Sequence, residues 1–214
     1  SLGIAEVELT DHCYVIARVP ASAGYENAPT VGFMAHLDTS SDVSGKNVVA
    51  TLARTYDGVP IALAEGYSLD PAEDPALLER IGDDIVHTDG TTLLGADDKA
   101  GIAEIMAAVE YLLAHPELPR GPLELVFSPD EETGKGQPEF PLERFKAAAF
   151  YTLDGGPAGE IEVECFNAYK ADIEFIGKAI HIGYARGKLA NAALMAAAYA
   201  NLLPRSESPE STDG

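Results

Sequence analysis

The chain has 214 residues, with 14 Lys plus Arg against 35 Asp plus Glu and a formal net charge of −21, enough for one sizeable core or one core plus a smaller unit. That balance argues against nucleic acid, whose affinity comes from neutralising phosphates with basic groups, and it disfavours an anionic membrane surface. No apolar run approaches the roughly 20 residues that span a bilayer.

Two strands come first. YVIARV (14–19) and VGFMA (31–35) are short apolar runs closed by polar turns, and the second is almost continuously apolar, as a strand covered on both faces should be. Residues 41–88 form a long insertion rich in Gly, Pro and Asp, for which a hairpin and a short helix over 75–80 are expected. A helix over 98–114 follows. Its residues Ile102, Ile105, Met106, Val109, Leu112 and Leu113 form one apolar stripe, and His115-Pro116 ends it, because proline disfavours the helical state in the residue before it. LELVF (123–127) and AAFYTL (148–153) complete the strands. The alternation predicts an α/β sheet with helices on its faces.

After Asp154 the character changes. IEVECF (161–166) and ADIEFIG (171–177) alternate with period two, the pattern of strands with one wet face, and an Ala-rich helix is expected over 188–203. The division predicted is 1–166 and 167–214, the second part being a smaller α+β unit with its boundary near Asn167. Cys13 and Cys165 stand far apart in apolar, strand-like contexts and are expected as buried free thiols in a reducing compartment. With no signal-peptide pattern at the start, a soluble cytoplasmic protein is expected. The opening at Ser1 and the polar run SESPESTDG at the close read as cut ends.

Three of the strands end in turns that carry acidic groups or a histidine. VGFMA runs into His36-Leu37-Asp38, LELVF into Asp130-Glu131-Glu132, and AAFYTL into Asp154. Asp97-Asp98 opens the helix. In open α/β sheets, sites are built beyond the carboxyl ends of the strands, so these groups are expected at one sheet edge. Left unpaired, the carboxylates would repel one another and their pKa values would rise; a divalent cation relieves this. Mixed imidazole and carboxylate ligation suits zinc, and also cobalt or manganese, and a bridging carboxylate would suit two metals roughly 3.5–4 Å apart. One of the pair Glu131-Glu132 can face a metal while the other accepts a proton from water. Residues two apart on extended backbone point the same way, so Asp38 is placed to orient the His36 ring. Each turn also has a plain reading by itself: a helix N-cap at Asp97-Asp98, a solvated acidic turn at 130–134, a buried structural histidine at His36. A calcium module is disfavoured, because calcium prefers more oxygen ligands closer in sequence and no imidazole.

The runs HLDTSSDVSGKNV, TDGTTLLGADDKAGIAEIM, FSPDEETGKG, FYTLDGGPAGEIEVECFNA and the HxGxARGKLxNA pattern at His181 resemble, in order and spacing, the di-zinc exopeptidase family that includes aminotripeptidases, aminoacylase and glutamate carboxypeptidase. The resemblance covers essentially the whole chain and is nearest to the aminotripeptidases. It implies a mixed sheet flanked by helices plus the start of a smaller α+β lid and dimerisation domain. Two Zn2+ ions are implied, with His36 and Asp154 ligating one, Glu132 the other and Asp97 bridging both. Glu131 is then the general base and Asp38 orients His36. His181 matches a histidine that stabilises the oxyanion of the tetrahedral species. The implied activity is release of the N-terminal residue of tripeptides, with a short peptide as substrate and a homodimer through the lid. The departures are that family chains are nearly twice as long, that an N-terminal helical stretch, a substrate-binding arginine and a last histidine ligand have no counterpart, and that Ile182 replaces a proline. His12, His87 and His115 lie in other contexts and do not replace the missing ligand. Action on dipeptides or N-acyl amino acids, and a non-catalytic fragment without metal, are the alternatives.

Overall fold

The computed structural model describes residues 2–135, 137–164 and 171–211. In chain order the elements are β1 (Glu6–Leu9), β2 (Val15–Val19), β3 (Val31–His36), β4 (Thr51–Ala53), β5 (Ile61–Ala62), β6 (Ser68–Leu69), β7 (Ile85–His87), α1 (Ala96–Ala114), β8 (Leu123–Ser128), β9 (Phe150–Thr152) and α2 (Ala192–Ala200). The chain divides into two compact units, Ser1–Glu160 and Ile161–Gly214. The boundary expected near Asn167 lies outside the described residues.

In the first unit five strands form one mixed sheet in the order β1-β2-β8-β3-β9. β1, β2 and β8 are antiparallel neighbours, whereas β8, β3 and β9 run parallel. Strand alternation divides the core between the two faces. Ala17, Val19, Ala35, Leu123, Leu125 and Phe127 meet Ile105 and Val109 of α1 on one face. Tyr14, Ile16 and Val126 pack on the other against Met34, Phe140, Phe145 and Phe150. Central β8 is therefore buried along all but its last residue, as an almost wholly apolar run should be. Its one charged residue, Glu124, is 3% exposed. Its carboxylate accepts from the backbone N–H groups of Lys146 and Ala147 at 2.9 and 2.8 Å and faces Arg18 Nε at 3.5 Å.

The stripe read on α1 is the one it buries: Ile102, Met106, Leu112 and Leu113 border the same cluster as Ile105 and Val109. The insertion contains the β5–β6 hairpin, the β4–β7 pair and a 3-10 helix at Pro75–Arg80, whose cap Asp74 accepts from Ala76 N. β1 was not anticipated; it is an edge strand whose Val7 and Leu9 are exposed. Cys13 is exposed rather than buried. It sits at φ 64 in the turn between β1 and β2, where the left-handed backbone takes it out of the strand alternation that would bury it. Cys165 lies outside the described residues.

The second unit is sparser. The strands expected over 161–166 and 171–177 are absent from their described residues, 161–164 and 171–177. Alternation specifies a strand only where a neighbour completes the ladder, and among the described residues of this unit one bridge, Lys178 with Ala190, is formed. That bridge occupies the start of the helix expected at 188. The helix instead begins after Asn191, whose side chain accepts from Leu194 N, and ends at Ala200.

Candidate metal centre

Because β3, β8 and β9 are parallel, their carboxyl ends lie along the same edge of the sheet, the edge at which α/β sheets build sites. His36 ends β3. Asp130, Glu131 and Glu132 follow β8, and Asp154 stands two residues after β9. The fourth contributor is the start of α1. Here Gly95 caps the helix in the left-handed region (φ 72), and Asp97 and Asp98 keep non-helical backbone angles, with a cis peptide between them. A Cβ on Gly95 would meet Lys99 Nζ and Thr39 Cγ2. Farther along, a Cβ on Gly101 would collide with the Leu153 carbonyl. The glycine thus lets α1 approach the chain one residue before Asp154.

The side chains converge on the His36 ring, which is 2% exposed. Nε2 lies 2.8 Å from Asp97 Oδ1, 3.8 Å from Asp154 Oδ2 and 3.9 Å from Glu131 Oε2. His36, Asp97 and Asp154 each offer one ligand atom, all within 4.8 Å of one another. On the far side of the ring, Nδ1 is 2.9 Å from the Asp38 carbonyl oxygen and 3.4 Å from its carboxylate. Contact with an acceptor at Nδ1 favours a proton there and points Nε2 at the acidic groups.

Asp98 has a separate position. It is 3% exposed, and its two oxygens accept from the backbone N–H groups of His36 at 3.0 Å and Gly101 at 3.1 Å. It therefore pins the end of β3 to the start of α1. From sequence the Asp97-Asp98 pair has the plain reading of a helix N-cap, and the Asp98 bond to Gly101 N, three residues on, is of that kind.

The charges are unbalanced. Burial pushes the Asp154 carboxyl up, the Asp98 carboxyl raises it further, and it stands at about 6 instead of the ordinary 3.8. Burial also raises Asp98, against the two N–H bonds that favour its anion. For His36, burial opposes the cation. The Asp97 hydrogen bond and the fields of Asp154 and Asp38 outweigh it, so its pKa is raised. A divalent cation at this point would relieve the same imbalance. One imidazole nitrogen and two carboxylates at this spacing are a fitting donor set for a divalent transition metal.

Of the residues singled out from sequence, His36, Asp38, Asp97, Glu131 and Asp154 meet in this cluster. The Glu132 carboxylate is exposed and outside the three-ligand group, although its backbone N–H donates to Asp38 Oδ2 at 3.1 Å. His181 belongs to the second unit, where its Nδ1 accepts from Gly183 N at 3.2 Å and its ring neighbours Tyr184.

The family described as "Peptidase family M20/M25/M40" matches residues 84–213. Curated relatives named peptidase T, from Exiguobacterium sp. and Clostridium perfringens, are each 47% identical over 213 residues, covering 99% and 100% of this chain and 52% of their own length. The crystal structure of aminopeptidase PepT from Bacillus cereus is similar at a TM-score of 0.60 and 26% identity, over 95% of this chain and 48% of that one. The chain spans about half the length of the relatives it matches.

Proposed function

Because the chain belongs to peptidase family M20/M25/M40, we propose that it carries the catalytic centre of a metal-dependent aminopeptidase releasing the N-terminal residue of tripeptides. The observation that carries this reading is the convergence of His36, Asp97 and Asp154 within ligand distance, with the Glu131 carboxylate 3.9 Å from His36 Nε2. The likeness to two relatives named peptidase T is what supports a tripeptide, rather than another amide, as the substrate in this reading.

In this reading His36, Asp97 and Asp154, with Glu132 as a further ligand, would hold two Zn2+ ions, with Co2+ or Mn2+ as substitutes. When bound, such ions polarise the scissile carbonyl and acidify water. The remaining work falls to the protein. Glu131 takes a proton from the attacking water and returns it to the leaving amine, a task for a carboxylate close to the ligands but not itself one of them. Asp38 holds the His36 ring so that Nε2 faces the carboxylates. His181 would donate to the oxyanion. A homodimer through the lid, residues 167–214, and a cytoplasmic setting belong to the same proposal.

The test is zinc content per chain together with turnover of a neutral tripeptide, a dipeptide and an N-acetyl amino acid, before and after a chelator. Chelator-sensitive turnover favouring the tripeptide is expected. A preference for the N-acetyl substrate would move the protein to another amide class, and turnover unaffected by the chelator would remove the metal from the mechanism.

A further inference from the structure

The turn that carries Glu131 and Glu132 is held by more than its own backbone. Asp130 adopts φ 60, a conformation that L residues other than Asn and Asp rarely take. The Asp130 carbonyl then accepts from Lys135 N and Thr133 Oγ1, and the Glu131 carbonyl from Gly134 N at 2.7 Å. A left-handed residue followed by a turn points successive N–H groups into one concavity, the arrangement that binds anions. The anion in this concavity is the Asp38 carboxylate. Its Oδ1 accepts from Glu131 N at 3.1 Å and its Oδ2 from Glu132 N at 3.1 Å.

Across the sheet the placement is enforced by the last ladder contact. Leu37 N donates to the Ser128 carbonyl at 2.8 Å, which brings residue 38 opposite the turn after β8. The chemistry of the side chain is specific. Two neighbouring N–H donors need two acceptor oxygens in one plane, and a carboxylate supplies these without a donor of its own. Electrostatics alone would disfavour a fourth carboxylate beside Asp130, Glu131 and Glu132, so the two charge-assisted bonds are what hold it there.

We infer that Asp38 is a positioning residue for the turn bearing Glu131 and Glu132, in addition to orienting the His36 ring, its carboxylate being the anion seated in that turn's backbone nest. The inference rests on the proposed function only where it calls Glu131 the base. One residue thereby ties the imidazole to the two glutamates on the neighbouring strand end, and a displacement of that turn moves Glu131 relative to the ring 3.9 Å away.

Amide hydrogen exchange on the metal-free chain tests the clamp directly. In the wild type the exposed Glu131 and Glu132 amides should exchange at least about tenfold more slowly than unstructured amides. Unprotected amides in the wild type overturn the inference, whatever the variants do. In D38N, which keeps the main-chain carbonyl that faces His36 but has one acceptor oxygen, protection at 131 and 132 should fall about tenfold while the His36 amide, bound to Asp98, stays protected. Unchanged protection at 131 and 132 overturns the clamp. With zinc bound, D38N should lose about 10²-fold in kcat, the scale of a 1 Å misplacement, with KM and zinc content unchanged. Zinc loss accompanied by wild-type exchange at 131 and 132 would confine Asp38 to His36. A wild-type chain protected at both amides yet inactive on every peptide would end the aminopeptidase reading and leave the clamp standing.

Discussion

The two units handle apolar surface in opposite ways. Residues 1–160 cover both faces of one sheet and enclose Ile16, Val19, Leu125 and Val126 almost completely. Among the described residues beyond 160, none is buried. Ile161, Val163, Ile176, Ile182, Leu194 and Leu202 all stand mostly exposed there, and α2, reading AALMAAAYA, has no polar face to turn to water. The difference shows what a metal site requires. Ligands must be held against their mutual repulsion, and in this chain the packed sheet with strands ending at one edge supplies that rigidity. The second unit has local devices, namely the Asn191 cap, the Lys178–Ala190 bridge and the Phe175–Tyr199 ring contact. These define short segments but do not enclose a core.

The largest expected effect tests the assignment of chemistry to the first unit. Glu131→Ala should reduce tripeptide turnover by about 10²–10⁴-fold, the usual contribution of a general base, with zinc content near that of the wild type. Retained activity would mean the base is elsewhere. Next in size is Leu125→Ala, which empties the middle of the buried strand and should cost about 2–5 kcal/mol by denaturant unfolding. Glu124→Ala removes the acceptor for two backbone N–H groups and the partner of Arg18, and about 1–3 kcal/mol should be lost. A value near zero would show that water replaces the carboxylate there.

A smaller effect concerns pH. The Asp154 carboxyl, raised from 3.8 to about 6, binds its proton more tightly when folded than when unfolded. Its contribution to stability is complete below about pH 4 and is lost as pH rises through 6. The raised His36 acts in the same direction. A bound cation takes the proton's place, so the rise in Tm produced by zinc should grow between pH 5 and 7. A zinc-induced rise independent of pH would contradict this charge balance. The smallest expected change is Leu194→Ala on exposed α2, within about 0.5 kcal/mol. A cost above about 1 kcal/mol would mean that α2 is covered by something beyond its own unit, and the contrast between the units would narrow.

Much of this is legible along the chain. The α1 stripe is legible because a 3.6-residue period is a local property, and β3 and β8 because continuous apolar runs of that length suit buried strands. The site residues were legible as types: a histidine and several acids at strand ends. Beyond 160 the same reasoning misled, since alternation in ADIEFIG describes a strand that requires a neighbour. Cys13 misled for a related reason. One left-handed residue in the hairpin turn is invisible in composition and reverses the side chain's exposure.

The sequence by itself determined which chemical groups were available, where strands and the long helix fall, and that a cation suits so acidic a set of turns. Only the tertiary structure decided how those groups divide the work. The parallel register of β8, β3 and β9 brings His36, Glu131 and Asp154 to one edge, and Gly101 admits α1 closely enough for Asp97 to reach His36. The same packing sends adjacent carboxylates to different tasks: Asp97 faces the ring while Asp98 binds two backbone amides behind it. Residue type and spacing are local and can be read along the chain. Direction across a sheet depends on neighbours up to about a hundred residues away, such as Asp38 and Glu132, and exists only once they have packed.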